Sequence, residues 1–397
     1  MYALKLLHKK LSKACPCIHQ KRLAILVLAT HALLIGQRLS LTQLGRRLQS
    51  SALTKHKIKR IDRLLGNSHL HQERQEIYRF ISQQLIDHSR PLIIVDWSDL
   101  TKERDYHLLR ASIPVGGRAL TLYEEVHPQK NLCSDKIHRQ FLRRLESLLP
   151  AGCCPIVITD AGFRNPWFKA ICDMGWDYVG RVRNRDMLKP KNKLIWKPCK
   201  YLYQKAQYKP RYLGQYTVVR SNPIDTHLYL VKQRPKNRHR YNDDGTRTTR
   251  GQSEKMAQRQ KEPLLISTSL QGSQQQAQRI IKLYKNRMQI EEAFRDTKSK
   301  RLGFSIRESL TRNLERLEIL LLIGALATFM AWLLGVITEL KQWHRRYQSN
   351  TNNARRVLST FFIGCQVAAD NQLTLRPSDY TMALNRVKTD ARRLNYD

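Results

Sequence analysis

Residues 319–338, ILLLIGALATFMAWLLGVIT, form an apolar run without a single charge. Such a run is long enough to span a bilayer as a helix, but the fully buried helix of a large domain has the same composition. The run follows closely on a charged amphipathic segment, and no second span accompanies it. We therefore predict a helix buried in the core of a large domain, and no membrane partner.

The net charge indicates what the chain binds. Its 397 residues include 71 Lys and Arg against 32 Asp and Glu, which gives a formal charge of +39. Such a field favours a polyphosphate partner through counterion release, although an anionic membrane or an acidic protein would also be attracted. The length and the 41% of hydrophobic residues predict two or three folded domains. Nucleic acid is the expected partner.

The first 75 residues are predicted to be a helical, basic domain. Apolar helices are expected at 22–37 and 41–48, and a short helix at Thr54–Leu65. This last helix is dense in cations: Lys55, Lys57, Lys59, Arg60 and Arg63. Two short helices of which the second is basic favour a helix-turn-helix arrangement that contacts DNA ends. A solvated charged helix is the alternative.

Residues 76–183 alternate between strands and helices, which predicts an α/β core. An apolar run at 92–95 ends in Asp96, and another at 155–159 ends in Asp160. Gly116-Gly117 joins two further strands and is a strong signal for a two-residue hairpin. The remaining elements are predicted as strands at 108–115, 118–126 and 176–182 and helices at 135–148 and 164–174.

Residues 184–275 break this alternation and predict an inserted β domain. Its aromatic and β-branched segments are 194–203, 212–220 and 227–231, and its basic stretch 232–261 is expected to be a loop that follows phosphates. Ser273 is expected to open the helix that contains Glu291. That core helix is assigned to 276–310 and a helical C-terminal domain to 311–397.

Residues 284–298, YKNRMQIEEAFRDTK, carry the densest functional pattern. In a continuous α-helix, one arc of roughly 80° would hold Tyr284, Arg287, Glu291, Arg295 and Lys298. Leu283, Ile290 and Phe294 form an apolar stripe beside it. A lone carboxylate among cations suits a metal ligand that meets a polyanion, whereas a solvated face with ion pairs is the alternative. The basic composition favours the first interpretation.

Three acids, Asp96, Asp160 and Glu291, are therefore the predicted catalytic and metal-binding residues. Phosphoryl transfer on DNA uses hard divalent cations, which prefer carboxylate oxygens. Two such ions can activate water or a 3′-hydroxyl and stabilise the leaving oxygen. Taken singly, an Asp at a strand end is just as often a helix cap or a turn residue.

Several blocks together resemble the insertion sequence 4 family of bacterial DDE transposases. The family signature Tyr-x2-Arg-x3-Glu-x6-Lys is matched by Tyr284, Arg287, Glu291 and Lys298. Similar blocks are KRIDRLLGN at 59–67, VDWSDL at 95–100, ITDAGFRNPWF at 158–168 and NRMQIEEAFRDTKS at 286–299. The likeness spans nearly the whole chain and is nearest to the Tn-ten type of that family.

The resemblance implies a ribonuclease H-like core and cut-and-paste transposition through a hairpin at the transposon ends. It implies that the three acids hold two Mg²⁺ ions, for which Mn²⁺ is an expected substitute, and that Tyr284, Arg287 and Lys298 grip phosphates. Arg295 lies on the same predicted face. Double-stranded DNA, both transposon ends and target, is the implied partner of a homodimer. A bacterial cytoplasmic, nucleoid-associated location follows.

Leu264 departs from the family pattern. Members commonly carry Trp after Glu-Pro in the preceding strand, where it stacks on a flipped base, but here the segment reads Lys261-Glu262-Pro263-Leu264. Leucine offers no π-face, a loss of roughly 1–3 kcal/mol per base. We expect weaker stabilisation of the flipped base, or stacking on it by another aromatic residue such as Trp196 in place of the missing Trp.

Three other functions remain open from the sequence: a metal-dependent nuclease without strand transfer, a catalytically impaired protein that binds DNA ends, and a membrane-attached basic protein resting on 319–338.

Overall fold

The computed structural model of the protein describes residues 2–101, 103–183, 186–234, 262–301, 303–352, 355–370 and 375–395. The described residues form two compact units. Unit 1 contains those of Met1–Pro155 and Met288–Asn395, and unit 2 contains those of Ile156–Arg287. The predicted basic loop at 232–261 lies outside the described residues from 235 onwards.

Unit 1 begins with five helices and continues into an antiparallel three-stranded sheet. The helices are α1 (Tyr2–Ala14), α2 (Gln20–Gly36), α3 (Leu41–Arg47), α4 (Thr54–Leu65) and α5 (Ser68–Leu85). The strands are β1 (Leu92–Asp99), β2 (Tyr106–Pro114) and β3 (Ala119–Pro128), with β2 in the middle. Helix α6 (Asp135–Leu148) follows. The expected α2, α3, α4 and α6 are confirmed within two residues.

The β2–β3 turn confirms the hairpin prediction. Gly116 and Gly117 have φ of 87° and 103°, the left-handed region that L-residues rarely adopt. Both central residues of a type I′ turn need this conformation, and this turn matches the twist of the flanking strands. Two consecutive glycines therefore fix where β2 pairs with β3.

Asp96 does not end its strand, contrary to the prediction. Strand β1 continues to Asp99, because β2 supplies antiparallel partners through the pair Asp99–His107. The carboxylate therefore leaves the sheet from the middle of a paired strand.

The apolar run lies in α10 (Leu314–Leu340), which is long and apolar enough to cross a membrane, yet 94% of its most apolar window is buried inside the protein. This burial supports the core-helix prediction. Helix α11 (Thr360–Ala369) packs very closely on it: a Cβ at Gly364 would lie 1.7 Å from the Ala331 carbonyl oxygen. Only glycine permits this approach. Helix α12 (Pro377–Arg392) completes unit 1.

Unit 2 is built on a mostly antiparallel sheet. Strand β4 (Ile156–Thr159) pairs in parallel with β5 (Asp177–Val182), and α7 (Asn165–Asp173) connects them. The sheet continues from β5 to β10 (Leu264–Thr268), β9 (Ile224–Val231), β8 (Arg211–Val218), β6 (Met187–Pro190) and β7 (Lys197–Pro198).

The strands of the predicted insertion thus extend the sheet of β5, to which β10 hydrogen-bonds directly. Residues 194–203 are strand only at Lys197–Pro198, and Cys199–Lys205 form a 3₁₀ helix, so the prediction of a strand there is largely wrong. The order β1-β2-β3-α6-β4-α7-β5 is compatible with the expected ribonuclease H-like core.

The predicted single helix through Glu291 is wrong. Helix α8 (Ala277–Lys285) and helix α9 (Met288–Lys298) are separated at Asn286 and Arg287, whose amides bond three residues back to Leu283 and Tyr284. Such bonds tighten the helical path. Only Glu291, Arg295 and Lys298 therefore share the face of one helix, and the helix opens at Ala277, after Ser273.

The four boundaries between the five predicted domains stay predictions. Helix α5 runs through residue 75, where the first boundary was placed, and the two units divide the chain at 155 and 287.

Candidate functional site

Asp96 lies in β1 directly opposite Arg110 of β2, and the residue is 8% exposed. One of its carboxylate oxygens accepts the backbone N–H of Trp97 at 2.9 Å. This local bond restricts the rotamer of the side chain that sequence analysis assigned to metal binding.

Trp97 anchors the opposite face of β1. Its indole N–H donates to Nε2 of His138 on α6 at 3.0 Å, and its ring packs edge-on against His127. Accepting this bond requires a neutral imidazole nitrogen, and burial lowers the pKa of His138 to about 4. The Trp97–His138 pair therefore fixes β1 on α6 immediately beside Asp96.

The stability of the protein should depend on His138 between pH 6.5 and about 4. The unfolded chain binds a proton near pH 6.5 that the folded chain accepts only near pH 4, so the free energy of unfolding falls as the pH falls through this window. One proton corresponds to a slope of about 1.4 kcal/mol per pH unit. Urea titrations of His138→Gln across this range should show a slope shallower by up to that amount. An unchanged slope would contradict this assignment.

Helix α9 carries Glu291, which is exposed, and Lys298, which is partly buried. The Lys298 ammonium donates to the Ser98 hydroxyl of β1. Burial, reinforced by Arg307, lowers the pKa of Lys298 to about 8, while Asp99 and Asp96 favour its charged form. The last turn of the Glu291 helix is thereby attached to the strand that carries Asp96.

The β2–β3 hairpin holds the beginning and middle of α9. The backbone N–H groups of Gly116 and Gly117 both donate to the Gln289 amide oxygen, at 3.1 and 3.0 Å. Arg118 binds the carboxylate of Asp296 at 2.6 Å and lies 3.6 Å from Glu292. This hairpin clamp, made of residues 116–118, fixes the helix on both sides of Glu291.

Arg118→Gln should loosen the hairpin clamp. It leaves the buried Asp296 carboxylate without its main partner, so the free energy of unfolding should fall by about 1–3 kcal/mol. Urea unfolding measures the loss, and Arg386→Gln serves as the control because Arg386 pairs with Asp390 on an exposed helix face. Equal stabilities of the two variants would be inconsistent with the clamp.

Arg110 of β2 contacts the C-terminal half of α9. Its guanidinium binds Glu124 at 2.7 Å, donates to the Thr297 hydroxyl at 3.3 Å and lies 5.1 Å from the centre of the Phe294 ring. Arg110 and Glu124 are 4% and 2% exposed. Sequence reasoning missed Arg110 and Arg118, because an arginine in a strand normally indicates a solvated face.

In unit 2, Asp160 directly follows β4, as predicted. Its carboxylate accepts the Gly162 N–H at 2.7 Å, which closes a tight turn before α7. A Cβ at Gly162 would lie 3.0 Å from this carboxylate oxygen. The turn therefore orients the Asp160 side chain.

Tyr284 and Arg287 form a second cluster in unit 2, with Arg181 of β5. Tyr284 is 6% exposed, and burial raises the pKa of its phenol, while the charges of Arg287 and Arg181 oppose this rise and Asp160 adds a smaller contribution to it. Burial lowers the pKa of Arg181, and its Nε has no hydrogen-bond partner in the described residues. The sequence pattern did not indicate Arg181, which offers a further buried donor to a phosphate.

The cations of α4 lie on its exposed side, with Lys57 only partly exposed, while Ile61, Leu64 and Leu65 are buried. Lys59 pairs with Asp62 at 2.9 Å and Arg60 donates to Ser50 at 3.1 Å. Helix α3 approaches α4 so closely that a Cβ on Gly45 would lie 2.6 Å from the Ile58 Cα. DNA contact by this helix pair stays a prediction.

Two of the predicted DNA contacts, Arg295 and Leu264, are engaged within the protein itself. Arg295 forms an ion pair with Glu292 on its own helix. Leu264 begins β10 and is 6% exposed, so it is not presented to a DNA base in this conformation. Trp196 is partly exposed, and Lys189 lies 5.5 Å from its ring.

The three predicted acids are divided between the two units. Asp96 and Glu291 belong to unit 1, and Asp160 belongs to unit 2. Within the described ranges, the protein contains no group of three or more His, Cys, Asp or Glu side chains that could hold a metal ion. The joint metal site therefore stays a prediction.

Residues 87–330 match a family model described as a transposase DDE domain. The match covers more than half of the chain and includes all three acids, both members of the Lys298–Ser98 pair and the hairpin clamp. A comparison with curated proteins finds no significant match.

Proposed function

Because the chain belongs to the transposase DDE-domain family, we propose that it is a bacterial cut-and-paste transposase of the insertion sequence 4 type. Membership in this family implies DNA binding and a nuclease or transposase activity. The finer assignment rests on the Tyr284, Arg287, Glu291 and Lys298 signature.

The observation that carries this proposal is the attachment of α9 to β1. Lys298 bonds Ser98, two residues beyond Asp96, and the hairpin clamp holds the other side of the helix. Two predicted catalytic carboxylates thus belong to one braced assembly of strand, hairpin and helix. Such bracing is what a site for phosphoryl transfer needs, since positioning supplies much of the catalysis.

Asp96, Asp160 and Glu291 are chemically suited to hold divalent ions, because carboxylate oxygens are the ligands that Mg²⁺ and Mn²⁺ prefer. The backbone N–H bonds to Asp96 and Asp160 orient both side chains, as outer-sphere partners of a metal ligand do. Two bound ions would activate water and the 3′-hydroxyl and stabilise the leaving oxygen.

We assign DNA binding to two groups of residues. The cations of α4 would bind the transposon ends, and Tyr284, Arg287 and Lys298 would grip phosphates near the cleaved bond, with Arg181 acting next to Tyr284. So held, one strand would be hydrolysed, and its free 3′-hydroxyl would attack the opposite strand to form a hairpin. The hairpin would then be reopened and joined to target DNA. We further propose a homodimer acting in the cytoplasm.

A supercoiled plasmid that carries the element's own inverted repeats, incubated with the protein and Mg²⁺, tests this function. Hairpin ends and insertion products are expected on denaturing gels. Nicks alone would indicate a simple nuclease, and shifted bands without cleavage an end-binding protein. Either result would overturn the proposal.

A further inference from the structure

An exposed apolar tip lies between β6 and β7 of unit 2. Leu194 and Ile195 are 88% and 70% exposed. Single exposed apolar residues are common on protein surfaces and need no explanation, but here two large ones are adjacent. The turn has a defined backbone, because Lys191 and Lys193 donate their N–H groups to the carbonyls of Gln215 and Pro190 at 3.0 and 2.9 Å. The tip is therefore held out on a short hairpin.

Lysines surround the tip. Those at 191, 193, 197 and 200 are exposed, and Lys197 lies 4.0 Å from the centre of the Tyr201 ring. In the described part of the chain, Lys191 of this rim pairs with Asp225 at 3.6 Å. A second copy of the chain that docked here through its own tip would bring a second positive rim against the first. Repulsion between these like charges disfavours such self-association. A polyanion with an apolar interior fits both features, and duplex DNA has that chemistry.

We propose that Leu194 and Ile195 form a wedge that enters a base step of duplex DNA, while the surrounding lysines bind the flanking phosphates. Proteins that bend DNA insert Leu and Ile side chains in this way and partly unstack the step. The inference rests on the proposed function only in taking DNA as the partner. It assigns a base contact to a segment that no catalytic residue occupies.

The test uses the full-length protein and a 40-base-pair duplex of mixed sequence with several TA steps, without Mg²⁺. Thymines that lose stacking become reactive to permanganate, so the reaction finds the wedge wherever the protein binds. The wild type should create reactive thymines at TA steps. The double variant Leu194→Ser/Ile195→Ser should lower this reactivity at least fivefold, with DNA affinity changed less than threefold and an unaltered salt dependence.

Two control variants separate the wedge from simple charge. Lys193→Gln/Lys197→Gln should weaken binding and reduce the salt slope by up to about 1.8, since each phosphate contact contributes about 0.9, while saturating protein still unstacks DNA. Leu310→Ser, at another apolar residue that is 86% exposed, should change neither property.

Unchanged permanganate reactivity of the Leu194→Ser/Ile195→Ser variant would overturn the wedge, as would a wild type that unstacks nothing. A change in its molar mass by light scattering would identify the tip as a self-association surface and would also overturn it. The proposed function fails separately: a wild type that unstacks DNA but yields no cleavage with Mg²⁺ on its own inverted repeats would retain the wedge and exclude the transposase.

Discussion

Glu291→Gln and Asp96→Asn should each lower the rate of DNA cleavage on the order of 10³-fold or more, while DNA binding is retained. Each substitution removes a negative charge from a predicted metal ligand, and a 10³-fold loss corresponds to about 4 kcal/mol of barrier. Binding persists because the positive field that attracts DNA is not reduced. Single-turnover cleavage and gel-shift assays on the same DNA measure the two effects.

Glu315→Gln is the matched control, because Glu315 is also an exposed acid in the first turn of a helix. It should cleave like the wild type. Equal rates for Glu291→Gln and Glu315→Gln would refute the catalytic role of Glu291. A readout independent of DNA is Fe²⁺-driven backbone cleavage, which should cut near residues 96, 160 and 291 and be lost in Asp96→Asn.

Arg110→Met should lower the free energy of unfolding by about 3–5 kcal/mol, the usual cost of breaking a buried ion pair from one side. It leaves the Glu124 carboxylate buried with only the Tyr78 hydroxyl as a remaining donor among its described hydrogen bonds, 3.1 Å away. Burial already raises the pKa of Glu124, and Arg110 opposes that rise, so the variant should take up a proton on Glu124 at higher pH than the wild type.

The double variant Arg110→Met/Glu124→Gln should recover much of this stability, since no buried charge is then left unpaired. Arg104→Met is the surface control, because Arg104 is 73% exposed and lies 3.2 Å from Asp99. It should cost less than about 1 kcal/mol. A similar cost for Arg110→Met and Arg104→Met in urea titrations would rule out the buried pair as a main support of α9.

Local patterns in the sequence were enough to locate most elements and the acids. The Gly116-Gly117 turn, α4 and α6 follow from turn chemistry and periodicity, which act between near neighbours. The break between α8 and α9 could not be predicted in this way, because neither Gly nor Pro occurs at residues 284–298. Local sequence signals alone therefore predict that the helix continues through these residues.

The sequence by itself determined the basic character of the chain, the core helix, and which carboxylates and cations are available for chemistry. The tertiary structure alone decided how they are held. Asp96 lies within β1 because β2 extends the pairing, and Arg118 and Arg110 meet Asp296 and Thr297 across 178 and 187 residues of chain. Contacts over such separations depend on packing of distant segments, and no local periodicity encodes which charged residue will be buried there.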